Sequence, residues 1–156
     1  MARYSNFPNG ITSFGHPVGP NLSGLTGDAF FLVPSSNSST NYFNDWATKH
    51  LPKGKVFTTL AAAYGACTTG RNDTVYAFPG TYTLTAAQTW AKHNTHLVGL
   101  GGPLSQGGMG KGVYFNCATT TVGSVVEVTG DNVCFHNVNL RNAGDNPTNY
   151  TALKLS

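Results

Sequence analysis

The sequence predicts an all-β fold that begins as a right-handed parallel β-helix, with one short capping helix before it and an extended amino-terminal arm. Residues 72–84 and 94–101 form two short runs rich in β-branched and aromatic side chains, each closed by glycine and separated by about one coil. Such runs read as successive rungs of a solenoid. Composition agrees: charged residues make up only 10% of the chain, while 19 glycines accompany many Ser, Thr and Asn, as in short strands joined by tight turns. Helical spacing is clear in only one segment.

The arm comes first. Residues 1–27 hold five glycines and three prolines, and Tyr4, Phe7, Ile11 and Phe14 are spaced too irregularly for one element. A segment that is sticky yet unable to build its own core gains most by lying on another surface, so these four residues are candidate contacts. Residues 28–72 come next as a strand, a loop and the capping helix. Residues 28–33 read as the first strand, ended by Pro34 and a polar run. Residues 35–54 read as a loop in which Tyr42, Phe43 and Trp46 make a small satellite cluster. Thr58 or Thr59 can cap a helix with Leu60, Ala63, Tyr64 and Cys67 on one face, and Gly70 is placed to stop it. Its narrow face suits packing across the open end of a solenoid.

Rungs fill residues 73–156. Beyond the first two they are expected at 113–115, 124–128, 132–140 and 150–155, with Val138 and Leu140 inward and Asn137, Asn139 and Arg141 outward. Residues 101–112 form a glycine-dense turn whose Gly-Lys pair lacks the Ser or Thr of a phosphate loop. The last run looks like a strand whose partner rung has not arrived. Since solenoid ends need covering, either the polypeptide continues past Ser156 or a neighbouring subunit covers that end.

Bulk properties narrow the function. A length of 156 residues suits one domain plus an arm. The net charge of +3 comes from nine scattered Lys and Arg with no basic stripe, which argues against nucleic acid. The amino terminus lacks the charged and apolar regions of a secretory signal, and no run nears the ~20 apolar residues of a membrane span, so a soluble chain made in the cytosol is expected. Cys67, Cys117 and Cys134 are odd in number and lack metal-ligand spacing, so buried thiols are expected.

Because solenoids often host polysaccharide enzymes, catalytic groups deserve a count. Hydrolysis needs two carboxylates roughly 5–10 Å apart, and the chain offers only Asp28, Asp45, Asp73, Glu127, Asp131 and Asp145. Glu127 and Asp131 are the best pair in sequence, but Gly130 marks a turn in which Asp131 accepts backbone hydrogen bonds. A calcium-assisted lyase needs clustered oxygen ligands, which are missing around Arg141, Asp145 and Lys154. His93, His96 and His136 do not follow a zinc pattern. No catalytic residue, metal or cofactor is therefore expected. Trp46, Trp90 and Tyr114 are the candidates for stacking on sugar rings, with Trp90 better placed in the core.

Residues 6–15, Asn-Phe-Pro-Asn-Gly-Ile-Thr-Ser-Phe-Gly, taken with 57–63 and 75–82, resemble a group of tailed-bacteriophage virion proteins that carry a short arm before a pectate-lyase-like β-helix. The resemblance implies a structural protein located in the virion: a capsid decoration protein or head-fibre base, attached through its amino-terminal region to the major capsid protein or other virion subunits, and homotrimeric. The alternative is a tail fibre or tailspike that binds or depolymerises a host surface glycan. A cellular β-helical adhesin is a third possibility, disfavoured by the lack of an export signal.

Overall fold

Short runs punctuated by Gly, Asn and Pro can only make short strands, and the computed structural model, which describes residues 11–13, 16–18, 27–35, 41–101, 112–117, 123–142 and 151–156, is mostly β. Strands β1 (Ile11–Ser13) and β2 (His16–Val18) pair antiparallel. They are followed by β3 (Ala29–Leu32), α1 (Asn41–His50), β4 (Val56–Phe57) and α2 (Leu60–Ala66). Then come β5 (Asp73–Ala77), β6 (Gly80–Leu84), β7 (Gln88–Trp90), β8 (Thr95–Gly99), β9 (Val113–Cys117), β10 (Ser124–Val128), β11 (Cys134–His136), β12 (Asn139–Asn142) and β13 (Thr151–Leu155).

From β5 onward each strand pairs in parallel with the strand three places later. One sheet runs β4-β3-β5-β8-β11, a second β6-β9-β12 and a third β7-β10-β13. Successive trios of strands thus form layers. Val75 lies opposite Leu97, and Leu97 opposite Phe135, so the two runs at 72–84 and 94–101 do hold neighbouring strands in parallel register.

Asparagine sets the corner that opens each layer. Asn72 and Asn94 directly precede β5 and β8, whose first residues Asp73 and Thr95 are register partners. Asn132 stands two residues before Cys134, which pairs with His96, and so falls in the same row. All three have positive φ, at 61°, 52° and 55°. A side chain in that region normally costs about 1–2 kcal/mol, and Asn tolerates it best after Gly. Backbone bonds from Gly70 N to His93 O (2.8 Å) and from Asn94 N to Asp131 O (2.9 Å) stack these corners. A fourth left-handed residue, Asn137, donates through Nδ2 to Gly99 O at 2.9 Å and Gly101 O at 2.7 Å. Gly99 has to be glycine, because a Cβ there would collide with the Asn137 carbonyl.

Inward side chains repeat from layer to layer. Phe30, Val75 and Leu97 share one column; Tyr82 and Phe115 share another, with rings stacked 5.1 Å apart. The Tyr82 hydroxyl shares its proton between Phe78 O and Leu32 O at 2.7 and 2.9 Å, and Trp90 Nε1 donates to Thr95 Oγ1 at 2.7 Å. α2 begins at Thr59, whose side chain accepts from Ala62 N, and buries Leu60 and Ala63 in the same core. Lys92 Nζ donates to the carbonyls of Tyr64, Gly65 and Cys67 around the end of α2, where the helix dipole favours a cation.

Several expectations change. Residues 41–50 form a helix where a loop was expected; Phe43, Trp46, Ala47 and His50 do have helical spacing, and α1 lays Ala47 and Trp46 against Val33 and Phe78, so Trp46 joins the satellite cluster as expected. α2 stops at Ala66, Cys67 is its C-cap, and Gly70 turns left-handed beyond it. Asn137 divides the expected run 132–140 into β11 and β12. Neither β4 nor β7 was anticipated. Cys67 and Cys117 are buried as expected, but Cys134 is exposed because odd positions on β11 face inward. Part of the arm folds back on itself as β1 and β2.

One buried carboxylate ties the start of the stack together. Asp73 is fully buried, and its oxygens accept from Asp28 N (2.7 Å), Thr68 N (2.6 Å) and both Nε and Nη2 of Arg71 (2.8 and 2.9 Å). Arg71 also reaches Asp28, as does Lys55, both at 2.8 Å. Burial pushes the Asp73 carboxyl up, but the Arg71 hydrogen bond and the two backbone donors outweigh it and hold it below the ordinary value. Asp73→Ala strands two backbone donors and should cost about 3 kcal/mol in urea unfolding. A lowered folded pKa stabilises fully above the unfolded value near 4 and is lost as pH falls through the folded one. The parent should therefore lose more stability between pH 7 and pH 3 than the Ala variant does.

Candidate functional site

The far end of the stack stands out by comparison with the layer below it. Val126 is fully buried, whereas its register partner Leu153 is 39% exposed; Val128 is 8% exposed and its partner Leu155 73%. The other two sheets show the same step. Leu97 and Phe115 are fully buried, while Phe135 and Leu140, one layer further, are only partly covered. Each column continues inward with an apolar residue, and β11, β12 and β13 are the last strands of their sheets among the described residues. Chemically this surface can bury hydrocarbon and accept strands.

Its rim is lightly charged. Glu127 Oε1 accepts from Lys154 Nζ at 2.7 Å and from Ser156 Oγ at 3.0 Å. The Lys154 hydrogen bond, then that of Ser156, holds the Glu127 carboxyl below its usual range.

The residues singled out from sequence are not brought together. Tyr4, Phe7 and Phe14 lie outside the described residues, and Ile11 is placed only as the first residue of β1, opposite Val18. Glu127 faces Lys154, while Asp131 sits 3.2 Å from His93 Nδ1, which also accepts from Asp131 N. The proposed carboxylate pair therefore has separate partners. His93 lies at a corner, His96 on β8 and His136 on β11, and no three His, Cys, Asp or Glu gather as a metal set among the described residues. Arg141 is exposed on β12, and Asp145 lies outside the described residues. Trp90 is fully buried against Tyr64 and Phe135, Trp46 packs on Phe78, and Tyr114 is half-buried, so these rings make no row for a sugar chain.

Buried Cys67 and half-buried His96 are chemically quiet. Burial, and then the nearby Asp73 charge, push the Cys67 thiol up to about 11, which keeps it protonated at neutral pH. Burial alone lowers the His96 imidazole below its usual value. The open end itself was legible only as an unfinished last strand; the depth of exposure required the register. Comparison of the chain with protein-family models, curated proteins and solved structures finds no match.

Two stability measurements check this placement. Val126→Ala should cost about 2 kcal/mol by denaturant unfolding, while Leu155→Ala, at a largely exposed side chain, should cost less than about 0.5 kcal/mol. Trp90→Ala should cost about 3–5 kcal/mol; an unchanged midpoint would put the indole on the surface instead of in the core.

Proposed function

We propose that this chain is a structural protein of a bacteriophage virion, a capsid decoration protein or head-fibre base, built as a right-handed parallel β-helix and attached through its amino-terminal region. The observation that carries the reading is the stack of parallel layers with an apolar, uncovered last layer. Parallel strands in a repeating three-sheet order make rods, in which each layer is stabilised by its neighbours. An uncovered layer is a place for more protein, which suits a component of a larger assembly better than a free-standing enzyme. The arm resemblance at residues 6–15 supplies the phage assignment.

In this reading residues 1–27 lie on the major capsid protein or another shell subunit, burying Tyr4, Phe7, Ile11 and Phe14, and the stack projects outward. The open end is covered inside a homotrimer. The glycan-binding or depolymerising alternative has less support, because its stacking ring Trp90 is internal and its carboxylates are engaged separately.

Deleting residues 2–20 should abolish incorporation into particles while leaving the circular dichroism spectrum and thermal midpoint of the stack unchanged. Normal incorporation of the shortened chain would overturn the attachment.

A further inference from the structure

Three successive corners of the stack meet at one imidazole. Thr69 and Gly70 belong to the corner that leads into β5, His93 and Asn94 to the corner before β8, and Asp131 and Asn132 to the corner before β11. Toward the first corner His93 uses only its backbone: its N donates to Thr69 Oγ1 at 3.0 Å, and its carbonyl accepts from Gly70 N at 2.8 Å. Toward the third corner it uses its side chain. Nδ1 accepts from Asp131 N at 3.0 Å and lies 3.2 Å from Asp131 Oδ2, while Asn94 N donates to Asp131 O at 2.9 Å.

The two contacts of Nδ1 ask for opposite protonation states. A backbone N–H donates only to an imidazole nitrogen that carries a lone pair, so the bond from Asp131 N requires a neutral ring with its proton on Nε2. An ionised carboxylate has no proton to give, so a favourable contact between Nδ1 and Oδ2 requires a proton on Nδ1. One nitrogen cannot serve both. Among the described residues Asp131 is the one ionisable group that pairs with this ring. Lys92 Nζ is turned to the carbonyls of Tyr64, Gly65 and Cys67, Arg71 is held by Asp28 and Asp73, and the first corner brings only Thr69 and Gly70, which do not titrate. The side chains of His93 and Asp131 are 53% and 84% exposed, so water and protons reach both.

We propose that His93 is a proton-operated latch between the second and third corners of the stack. With the ring neutral, Nδ1 holds the backbone of the third corner through Asp131 N. When the ring takes a proton from water onto Nδ1, that nitrogen becomes a donor; the Asp131 amide loses its acceptor, and the ring pairs with Oδ2 instead. A tie on the backbone is exchanged for an ion pair between exposed side chains, which holds little. Acid therefore loosens the third corner, and with it the entry to β11 in the last layer. The latch is independent of the virion reading, since it is read from the corners alone and its failure leaves the arm deletion result as it stands.

The test is nuclear magnetic resonance of the isotope-labelled full chain at pH 8 and pH 5, the range over which imidazole changes charge. A coupling across the hydrogen bond between Asp131 N and His93 Nδ1 should be present at pH 8 and lost at pH 5. After correction for the intrinsic rate at each pH, exchange of the Asp131 amide should be about fivefold faster in acid, as the loss of one net hydrogen bond allows. The Gly70 amide, which ties the first two corners, should keep its protection. His93→Gln, whose side-chain oxygen accepts a hydrogen bond and does not titrate, should remove the pH dependence at Asp131. The proposal is overturned if the coupling is absent at the higher pH, if exchange at Asp131 is the same at both, or if the change persists in His93→Gln. The first two readings use the parent chain and decide the matter if the variant does not fold.

Discussion

The fold depends on a corner that must turn left-handed at the same place in every layer. Asn72, Asn94 and Asn132 take that conformation in register, and each delivers the chain into a strand of the same sheet. A corner that slipped by one residue would exchange inward and outward faces along the whole following strand. Val75 and Leu97 would then face water and Thr74 and His96 the core. The asparagines thus fix the register on which every inward column depends, and the corner bonds from Gly70 to His93 and from Asn94 to Asp131 hold successive corners together.

With the register fixed, the two ends of the stack acquire different characters. On the entry side specific polar chemistry holds the first layer, although no strand pairs beyond β6 among the described residues. Asp73 gathers the start of β3, the loop after α2 and Arg71 around one buried carboxylate, while Tyr64 and Lys92 join α2 to the chain after β7. The far side repeats the interior pattern without a cover, so Leu153 and Leu155 are core residues by position and surface residues by exposure.

Much of this was legible in the sequence. β-Branched and aromatic runs around 73–77 and 95–99 and alternation at 124–128 announced strands, and the Leu60, Ala63, Tyr64 spacing announced α2, because burial on one face leaves a periodic trace. β7 was not seen, because three residues are too few for a period, although Trp90 was expected in the core, where Thr95, Tyr64 and Phe135 surround it. α1 was passed over because Asn41, Asn44 and Thr48 favour turns locally, and only its packing on Val33 and Phe78 accounts for the helix. Nothing local marks Asp73 as the centre of a buried network, because its donor Asp28 lies 45 residues away in sequence. Long-range partners are set by register, and register is a property of the assembled layers.

The central claim is that the apolar last layer is covered by neighbouring subunits. Sedimentation equilibrium of the full chain over a wide concentration range tests it most directly. The account predicts a species of three 16.4 kDa chains that reverts to single chains when Leu155 is replaced by Lys. A 16.4 kDa particle at every concentration, with Leu155 intact, would contradict it.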